Sequence, residues 1–242
     1  EHDGLTKQHQ DNVEYASMIY AVDENVGRLM TVLDELALSD NTVVFLTSDN
    51  GGRSTLYGPG DATSNLPLRA GKGWVYEGGI RVPLIVRAPG AVSKANVSPA
   101  LVTSMDFYPT ILEMVGAASM PGQHVDGQSF GPVLSGQATT TRNKLHFYYP
   151  HYHGSASMPS IAARWGDWKL VKFYESGELE LYDLRTDIGE SRNLVSAHPE
   201  RARTMEAGID KWLRHVSAAR PAVNPAYVEG REELDFEGLE PR

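Results

Sequence analysis

The sequence predicts an α/β domain followed by a small α+β subdomain that combines an antiparallel sheet with a helix. Helical and strand-like patterns alternate up to residue 138, which is typical of an α/β sheet. From about residue 139 the chain changes to closely spaced strand patterns and one final helical pattern. Because residues 116–138 are rich in Gly, Pro and Ser, we place the boundary at their end, which gives units of residues 1–138 and 139–242.

Residues 11–38 carry the strongest helical pattern. Apolar side chains recur there at steps of three and four, so they form one stripe along an amphipathic helix. The β-branched run at residues 42–47 predicts a buried parallel strand. Residues 80–88 predict another strand, and Pro83 places it at a sheet edge because proline cannot donate to a ladder. Residues 104–115 predict a second helix. The stripe comprises Met18, Val22, Val26, Leu29, Leu33 and Leu36.

The second part contains three strand patterns, at residues 145–149, 161–174 and 179–184. A turn at Gly166-Asp167 divides the middle pattern into two strands. An amphipathic helix is predicted over residues 198–215, and we expect it to pack on this sheet.

Composition excludes several classes of partner and site. The balance of 22 Lys+Arg against 31 Asp+Glu, without a basic cluster interleaved with aromatic residues, argues against a nucleic-acid partner. The absence of cysteine excludes disulfides, zinc-thiolate sites and a cysteine nucleophile. No targeting segment and no run of about 18 apolar residues is present, so we expect no membrane contact. The start at Glu1 suggests a fragment or a processed product.

Ser48-Asp49-Asn50-Gly51-Gly52 directly follows the first predicted strand and opens a long glycine-rich loop. Open α/β sheets bind ligands at the carboxyl ends of their strands. The side-chain oxygens of Asp49 and Asn50 are hard ligands suited to calcium or magnesium. Taken alone, the run also fits an ordinary turn.

Lys72 lies between two glycines in the same loop. Such a lysine resembles an oxyanion-binding arrangement, but Gly73 stands where a nucleotide phosphate loop has a hydroxyl residue. A solvated surface charge is the alternative interpretation.

His146, His151 and His153 form the densest histidine cluster. On a strand, His151 and His153 would face one side and His146 would lie in a different register. The cluster fits either a substrate-contacting wall or an exposed strand end. Four carboxylates near turns or helix ends are expected to accept backbone hydrogen bonds and are assigned no catalytic role: Asp106, Asp183, Asp187 and Glu190.

Several short runs combine into a more specific pattern. They are Asp23-Glu24-Asn25-Val26-Gly27-Arg28, Thr47-Ser48-Asp49-Asn50-Gly51-Gly52, Pro67-Leu68-Arg69-Ala70-Gly71-Lys72-Gly73, Glu77-Gly78-Gly79-Ile80-Arg81-Val82-Pro83, Arg164-Trp165-Gly166-Asp167-Trp168-Lys169-Leu170 and Glu180-Leu181-Tyr182-Asp183-Leu184. Together with Tyr15-Ala16-Ser17-Met18-Ile19 and with Asp187, Glu190 and Asn193, the combination resembles the type I sulfatase family (arylsulfatases), and the resemblance covers almost the whole chain. The resemblance implies the C-terminal part of an alkaline-phosphatase-like α/β sulfatase domain, followed by a small α+β subdomain.

The resemblance also implies roles for individual residues. Asp49 and Asn50 would ligate calcium, in preference to magnesium, and Lys72 would serve catalysis and substrate binding by contacting the sulfate and the leaving-group oxygen. The family nucleophile is a formylglycine made from Cys or Ser in a C/S-x-P-x-R motif. Residues 65–69 copy that spacing, but Asn65 stands at the reactive position. We therefore expect formylglycine in an upstream part, and no activity from this chain alone.

The function implied is hydrolysis of sulfate esters, by a periplasmic or secreted enzyme. Carbohydrate sulfates are the preferred substrates because His151 and His153 could wall a polar sugar pocket. The partners would be a sulfated small molecule or saccharide and an N-terminal chain of the same enzyme. Two alternatives stay open: a phosphoester or phosphonate hydrolase of the same superfamily, and a non-catalytic binding chain.

Overall fold

The computed structural model describes residues 7–55, 62–92, 97–123, 126–137 and 142–222. The first part contains α1 (Val13–Glu35), β1 (Val44–Thr47), α2 (Glu77–Ile80), β2 (Leu84–Arg87), α3 (Phe107–Met114) and α4 (Gly131–Leu134). Short 3-10 helices at Ser39–Asn41 and Ser104–Asp106 precede β1 and α3. The second part contains β3 (Lys144–Tyr149), β4 (Ser160–Trp165), β5 (Trp168–Phe173), β6 (Leu179–Asp183) and α5 (Pro199–His215).

The first predicted helix is confirmed as α1. Its N-terminus is capped by Asn12, whose side chain accepts a hydrogen bond from the backbone N–H of Tyr15 at 2.7 Å. The apolar stripe, however, is largely uncovered among the described residues, with Met18 64% and Leu29 66% exposed. An amphipathic pattern predicts a helix, but it does not show which other surface packs against the apolar face of that helix.

The prediction of a buried parallel strand at residues 42–47 is wrong. β1 pairs antiparallel with β2, its only partner in the described part of the chain, with Phe45 opposite Val86. The apolar character of β1 reflects one packed face, since the Phe45 ring stacks on Phe107 at 5.4 Å and meets Phe130 edge-on at 6.2 Å. A short apolar run does not distinguish parallel from antiparallel pairing. β2 is shorter than the predicted strand, since Ile80 belongs to α2 and residues 81–83 and 88 have no regular secondary structure.

The second part is a four-stranded antiparallel meander in the order β3-β4-β5-β6. The predicted turn is confirmed: Trp165 pairs with Trp168 across Gly166, whose φ of 59° suits a tight hairpin. α5 confirms the predicted final helix and covers one face of the sheet. The core on that side contains Ile161, Ala163, Leu170, Leu181, Ala202, Met205, Ile209 and Leu213.

The opposite face of the sheet is covered by a segment of the first part. Ala70, Trp74 and Tyr76 pack into one core with residues of β4, β5 and β6, among them Val171 and Tyr182. The glycine-rich loop is thus held by the C-terminal sheet. The boundary at residue 138 stays a prediction. No helix in the described ranges is long and apolar enough to cross a membrane.

Candidate active site

The Asp49-Asn50 turn follows directly after β1. The hydroxyl of Ser48 donates to the backbone oxygen of Asn50 at 2.8 Å, and the Asn50 N–H donates to Asp49 Oδ1 at 2.9 Å. Asp49 is exposed and Asn50 is half-buried. No group of three or more His, Cys, Asp or Glu side chains in the described ranges could hold a metal ion. Since calcium takes six to eight oxygen ligands, this turn offers only part of a coordination shell.

One backbone hydrogen bond joins this turn to the Lys72 loop, and a second joins it to α2. The N–H of Lys72 donates to Gly52 O at 3.1 Å, and the N–H of Gly51 donates to Gly79 O at 3.0 Å. A Cβ at Gly51 would lie 1.7 Å from Gly78 O, so only glycine permits this approach. The two predicted site segments are therefore neighbours in the fold, and Lys72 itself is exposed.

Asn65 has a structural role that the sequence did not suggest. Its Nδ2 donates to Gly52 O at 2.7 Å and to Ala70 O at 3.0 Å, and it lies 3.3 Å from Gly78 O. The residue at the position that imitates the nucleophile motif thus ties both site segments together. An asparagine amide that binds several carbonyls is not recognisable from sequence alone.

The histidine segment approaches the Lys72 loop from the other side. His153 Nδ1 lies 2.8 Å from Ser155 Oγ, and the indole N–H of Trp74 donates to Ser155 O at 2.9 Å. The Tyr149 ring contacts both imidazoles, with centroid distances of 4.1 Å to His151 and 6.1 Å to His153. These contacts place His153 beside the residue that follows Lys72 and leave His151 exposed.

His146 does not join this group. Its ring stacks on Trp212 of α5, with centroids 4.6 Å apart and planes 7° apart. Burial, with a smaller contribution from the nearby charge of Lys144, lowers the pKa of His146 below its usual value. The three imidazoles therefore form no common metal site.

An open cleft of about 1030 Å³ runs past Asp49, Asn50 and Gly73. Arg81 and Arg164 also line it. The sequence analysis assigned no role to these two cations. Arg81 follows α2 and Arg164 lies near the end of β4, and neither position belongs to a spacing typical of a binding motif. They add positive charge to a cleft that already borders the Lys72 loop.

Beneath the loop lies a buried cluster of charges. Lys169 of β5 is fully buried, and its Nζ lies 2.7 Å from Glu190 Oε1 and 3.1 Å from Glu77 Oε1. Arg81 and Arg164 each place a guanidinium nitrogen 3.5 Å from Glu77 Oε2. Burial acts to raise the pKa of Glu77, but these cations outweigh it and lower the pKa. For Glu190 burial prevails over the attraction of Lys169, and its pKa is raised.

Three of the four carboxylates expected to accept backbone hydrogen bonds do so locally. Asp106 closes a capping box with Thr103, while Asp183 and Asp187 accept backbone N–H groups in the turns that follow them. Glu190 differs, because its Oε2 accepts the N–H of Glu77, the first residue of α2, at 2.6 Å and over a separation of 113 residues. The sequence did hold one signal for this cluster: strand alternation puts Lys169 on the face of β5 that carries Val171, where a charge requires partners.

Two family models match the chain. The model described as Sulfatase matches residues 2–117, and the model described as N-sulphoglucosamine sulphohydrolase, C-terminal, matches residues 70–217. The match of the second begins in the loop that contains Lys72 and extends through α5.

Curated relatives carry the same description. A sulfatase of Formosa agariphila is 37% identical over 223 residues, which cover 83% of this chain and 39% of that protein. An N-acetylglucosamine-6-O-sulfatase of Bacteroides thetaiotaomicron is 33% identical over 193 residues, covering 78% of this chain and 32% of that protein. The chain thus spans well under half of the length of these relatives.

Solved structures share the fold. The crystal structure of Ps i-CgsB in complex with k-i-k-neocarrahexaose superposes with a TM-score of 0.71 at 28% identity, covering 85% of this chain and 44% of that one. A protein solved in complex with its substrate, D-glucosamine-2-N,6-O-disulfate, superposes with a TM-score of 0.68 at 27% identity, covering 84% of this chain and 40% of that one. These two saccharides are ligands of those two proteins.

Proposed function

We propose, because this chain belongs to the sulfatase family, that it contributes one side of an active site that hydrolyses sulfate esters. The observation that carries the proposal is the pairing of the two site segments. The glycines that follow the Asp49-Asn50 turn are joined by backbone hydrogen bonds to the Lys72 loop, through Gly52, and to α2, through Gly51. Asp49 and Asn50 therefore line a cleft that also borders the Lys72 loop at Gly73, and a sulfate group bound beside a metal ion needs such a combination of ligands and positive charge.

Asp49 and Asn50 are proposed to ligate calcium, in preference to magnesium. Their donor set fits, since it combines one carboxylate with one amide oxygen at the end of a strand. Bound calcium would supply positive charge to the sulfate oxygens. The other ligands are proposed to come from the part of the enzyme that this chain does not span, and so is the formylglycine nucleophile.

Lys72 is proposed to contact the sulfate and the oxygen of the leaving group. Its loop is fixed at both ends by backbone hydrogen bonds, whereas Lys72 itself is exposed. An ammonium carried on a fixed loop stabilises the negative charge that develops on the leaving oxygen.

His151 and His153 are proposed to bind the substrate beyond the sulfate group. With the Tyr149 ring they form a wall of polar-edged aromatic surfaces beside Gly73. Such a wall suits a sugar, and two proteins of similar structure were solved with saccharides, one of which is a disulfate. We accordingly propose a sulfated carbohydrate as substrate and a periplasmic or secreted location.

The experiment compares the hydrolysis rates of a sulfate ester and a phosphate ester that share the same leaving group. The full-length polypeptide that contains this sequence is assayed with p-nitrophenyl sulfate and p-nitrophenyl phosphate, before and after removal of metal with EDTA. The proposal predicts sulfate-ester turnover that EDTA abolishes and calcium restores. Faster turnover of the phosphate ester would favour a phosphoester hydrolase, and release of neither product by a folded protein would favour a non-catalytic binding chain.

A further inference from the structure

β5 carries two lysines that have opposite surroundings. Lys172 pairs with Glu206 of α5 at 2.6 Å, with 23% of its side chain exposed. Lys169 is completely buried between Glu77 and Glu190. A buried lysine is costly unless carboxylates compensate it, so the position of Lys169 and the positions of its two partners depend on one another.

The backbone of Glu190 adopts a strained conformation that places its side chain against Lys169. Its φ of 51° lies in the left-handed region, which is strained for a non-glycine residue and persists only where surrounding contacts enforce it. One carboxylate oxygen of Glu190 meets Lys169 at 2.7 Å, and the other accepts the N–H of Glu77 at 2.6 Å. Glu190 therefore connects the sheet lysine to the first residue of α2.

Glu77 is followed by the two glycines that touch the candidate site. The N–H of Gly78 donates to Arg69 O at 2.8 Å, at the start of the Lys72 loop, and Gly79 O accepts the N–H of Gly51 at 3.0 Å. A Cβ at Gly78 would lie 2.2 Å from Ala70 O, so the packing leaves no free space for a shift. A displacement of Glu77 is thus transmitted to both site segments.

A second set of contacts holds the same loop from the same sheet. Arg69 donates to Tyr182 Oη of β6 at 2.8 Å and to Glu190 O at 3.2 Å, with its guanidinium 4.0 Å from the centre of the Tyr76 ring. These contacts fix the entry of the loop, and the Lys169 cluster fixes its exit at α2. The C-terminal sheet therefore contacts the loop at both ends, through Tyr182 at Arg69 and through Lys169 at Glu77.

We propose that Lys169, which lies beneath the cleft and is fully buried, is a positioning residue that sets the Lys72 loop and the Asp49 turn through Glu77 and Glu190. The inference rests on the proposed function for its effect on turnover, but its structural part stands by itself. Well-packed apolar residues could stabilise the same interface equally well. The ion pairs of Lys169, together with the hydrogen bond from the Glu77 N–H to Glu190, instead hold the backbone of residues 77–79 at one distance from Gly51.

The test compares a double variant with a matched control. Lys169→Met with Glu190→Gln removes one positive and one negative charge together, which preserves the net charge of the cluster and the acceptor for the Glu77 N–H. The control is Lys172→Met, which removes the other lysine of β5 and its partly exposed pair with Glu206. Both are made in the full-length polypeptide.

Two readouts are needed. Hydrogen exchange of the amides of Gly51, Lys72, Gly78 and Gly79 should become at least about tenfold faster in the double variant and stay unchanged in the control. In turnover of p-nitrophenyl sulfate, kcat should fall at least about tenfold in the double variant with a smaller change in KM, and the control should keep the parent values. If the double variant does not fold, Glu190→Gln alone should give the same regional loss of protection to a smaller degree.

The two proposals fail in distinguishable ways. Unchanged exchange at these four amides, in a variant whose melting temperature has fallen, would show that Lys169 contributes only stability and would overturn the inference. If the parent protein does not hydrolyse sulfate esters, the proposed function fails, and the exchange measurement still decides whether Lys169 positions the loop.

Discussion

The imidazole of His153 lies directly against the α-carbon of Gly73. A Cβ built on Gly73 would be 2.3 Å from His153 Nδ1 and 2.4 Å from Ser155 Oγ. Because Gly73 follows Lys72, this contact sets the distance between the proposed sulfate-binding cation and the proposed substrate wall. The histidine segment and the lysine loop act as one surface.

Gly73→Ala should disrupt that surface. Gly73 has a φ of 89°, so alanine adds backbone strain of about 1–3 kcal/mol and also displaces the His153 ring. We expect kcat/KM for a sulfate ester to fall at least about tenfold. Gly90→Ala is the matched control, since Gly90 has a φ of 78° but an added Cβ would meet no described atom within 4 Å. Equal activity losses in the two variants would contradict the role of the His153 contact.

Asp49→Ala in the full-length polypeptide should lose metal and activity together. Removing the carboxylate takes both a charge and a ligand from an oxygen-lined calcium site. Metal content by atomic emission and turnover of a sulfate ester measure the two effects. Asp40→Ala removes another exposed carboxylate just before β1 and should change neither. A parental calcium content in the Asp49 variant would refute the assignment.

His146→Phe should reduce the loss of stability in mild acid. In the unfolded chain His146 takes up a proton as the pH falls through about 6.5, whereas burial keeps its pKa in the folded chain lower. The folded state therefore loses stability as the pH falls from about 6.5 toward that lower pKa. Phenylalanine keeps the stacking on Trp212 and does not titrate. Melting temperatures at pH of about 7.5 and about 5.5 should differ less in the variant than in the parent protein, and an equal difference would count against the shifted pKa.

The elements that depend on local pattern were predictable from the sequence. The periodicity of residues 11–38 predicted α1, and the turn at Gly166-Asp167 predicted the β4-β5 hairpin. The family resemblance assigned Asp49 and Lys72 to one site, and the hydrogen bond from the Lys72 N–H to Gly52 O makes their segments neighbours.

The features that depend on long-range packing were not predictable in the same way. The pairing direction of β1 and the partners of Lys169 are set by residues far away in sequence, such as Val86 and Glu77. The single amide of Asn65 gathers carbonyls from three segments, which no spacing rule reveals. Each of these contacts joins residues that are far apart in the sequence. The sequence shows at most that Lys169 and Asn65 are polar residues that need partners, and it does not show which residues those partners are.

Lys72 is the residue on which the proposed chemistry depends most directly, and its test is the rate of p-nitrophenyl sulfate hydrolysis by full-length Lys72→Ala. Loss of a preorganised stabiliser of negative charge should lower kcat about 10²-fold or more, with normal calcium content. Lys72→Gln should recover little of the rate because it has no charge, and Lys211→Ala on the exposed side of α5 should keep the parental rate. A near-parental rate in Lys72→Ala, together with loss of activity in His151→Ala, would contradict the proposed role of Lys72 and move the site to the histidine segment.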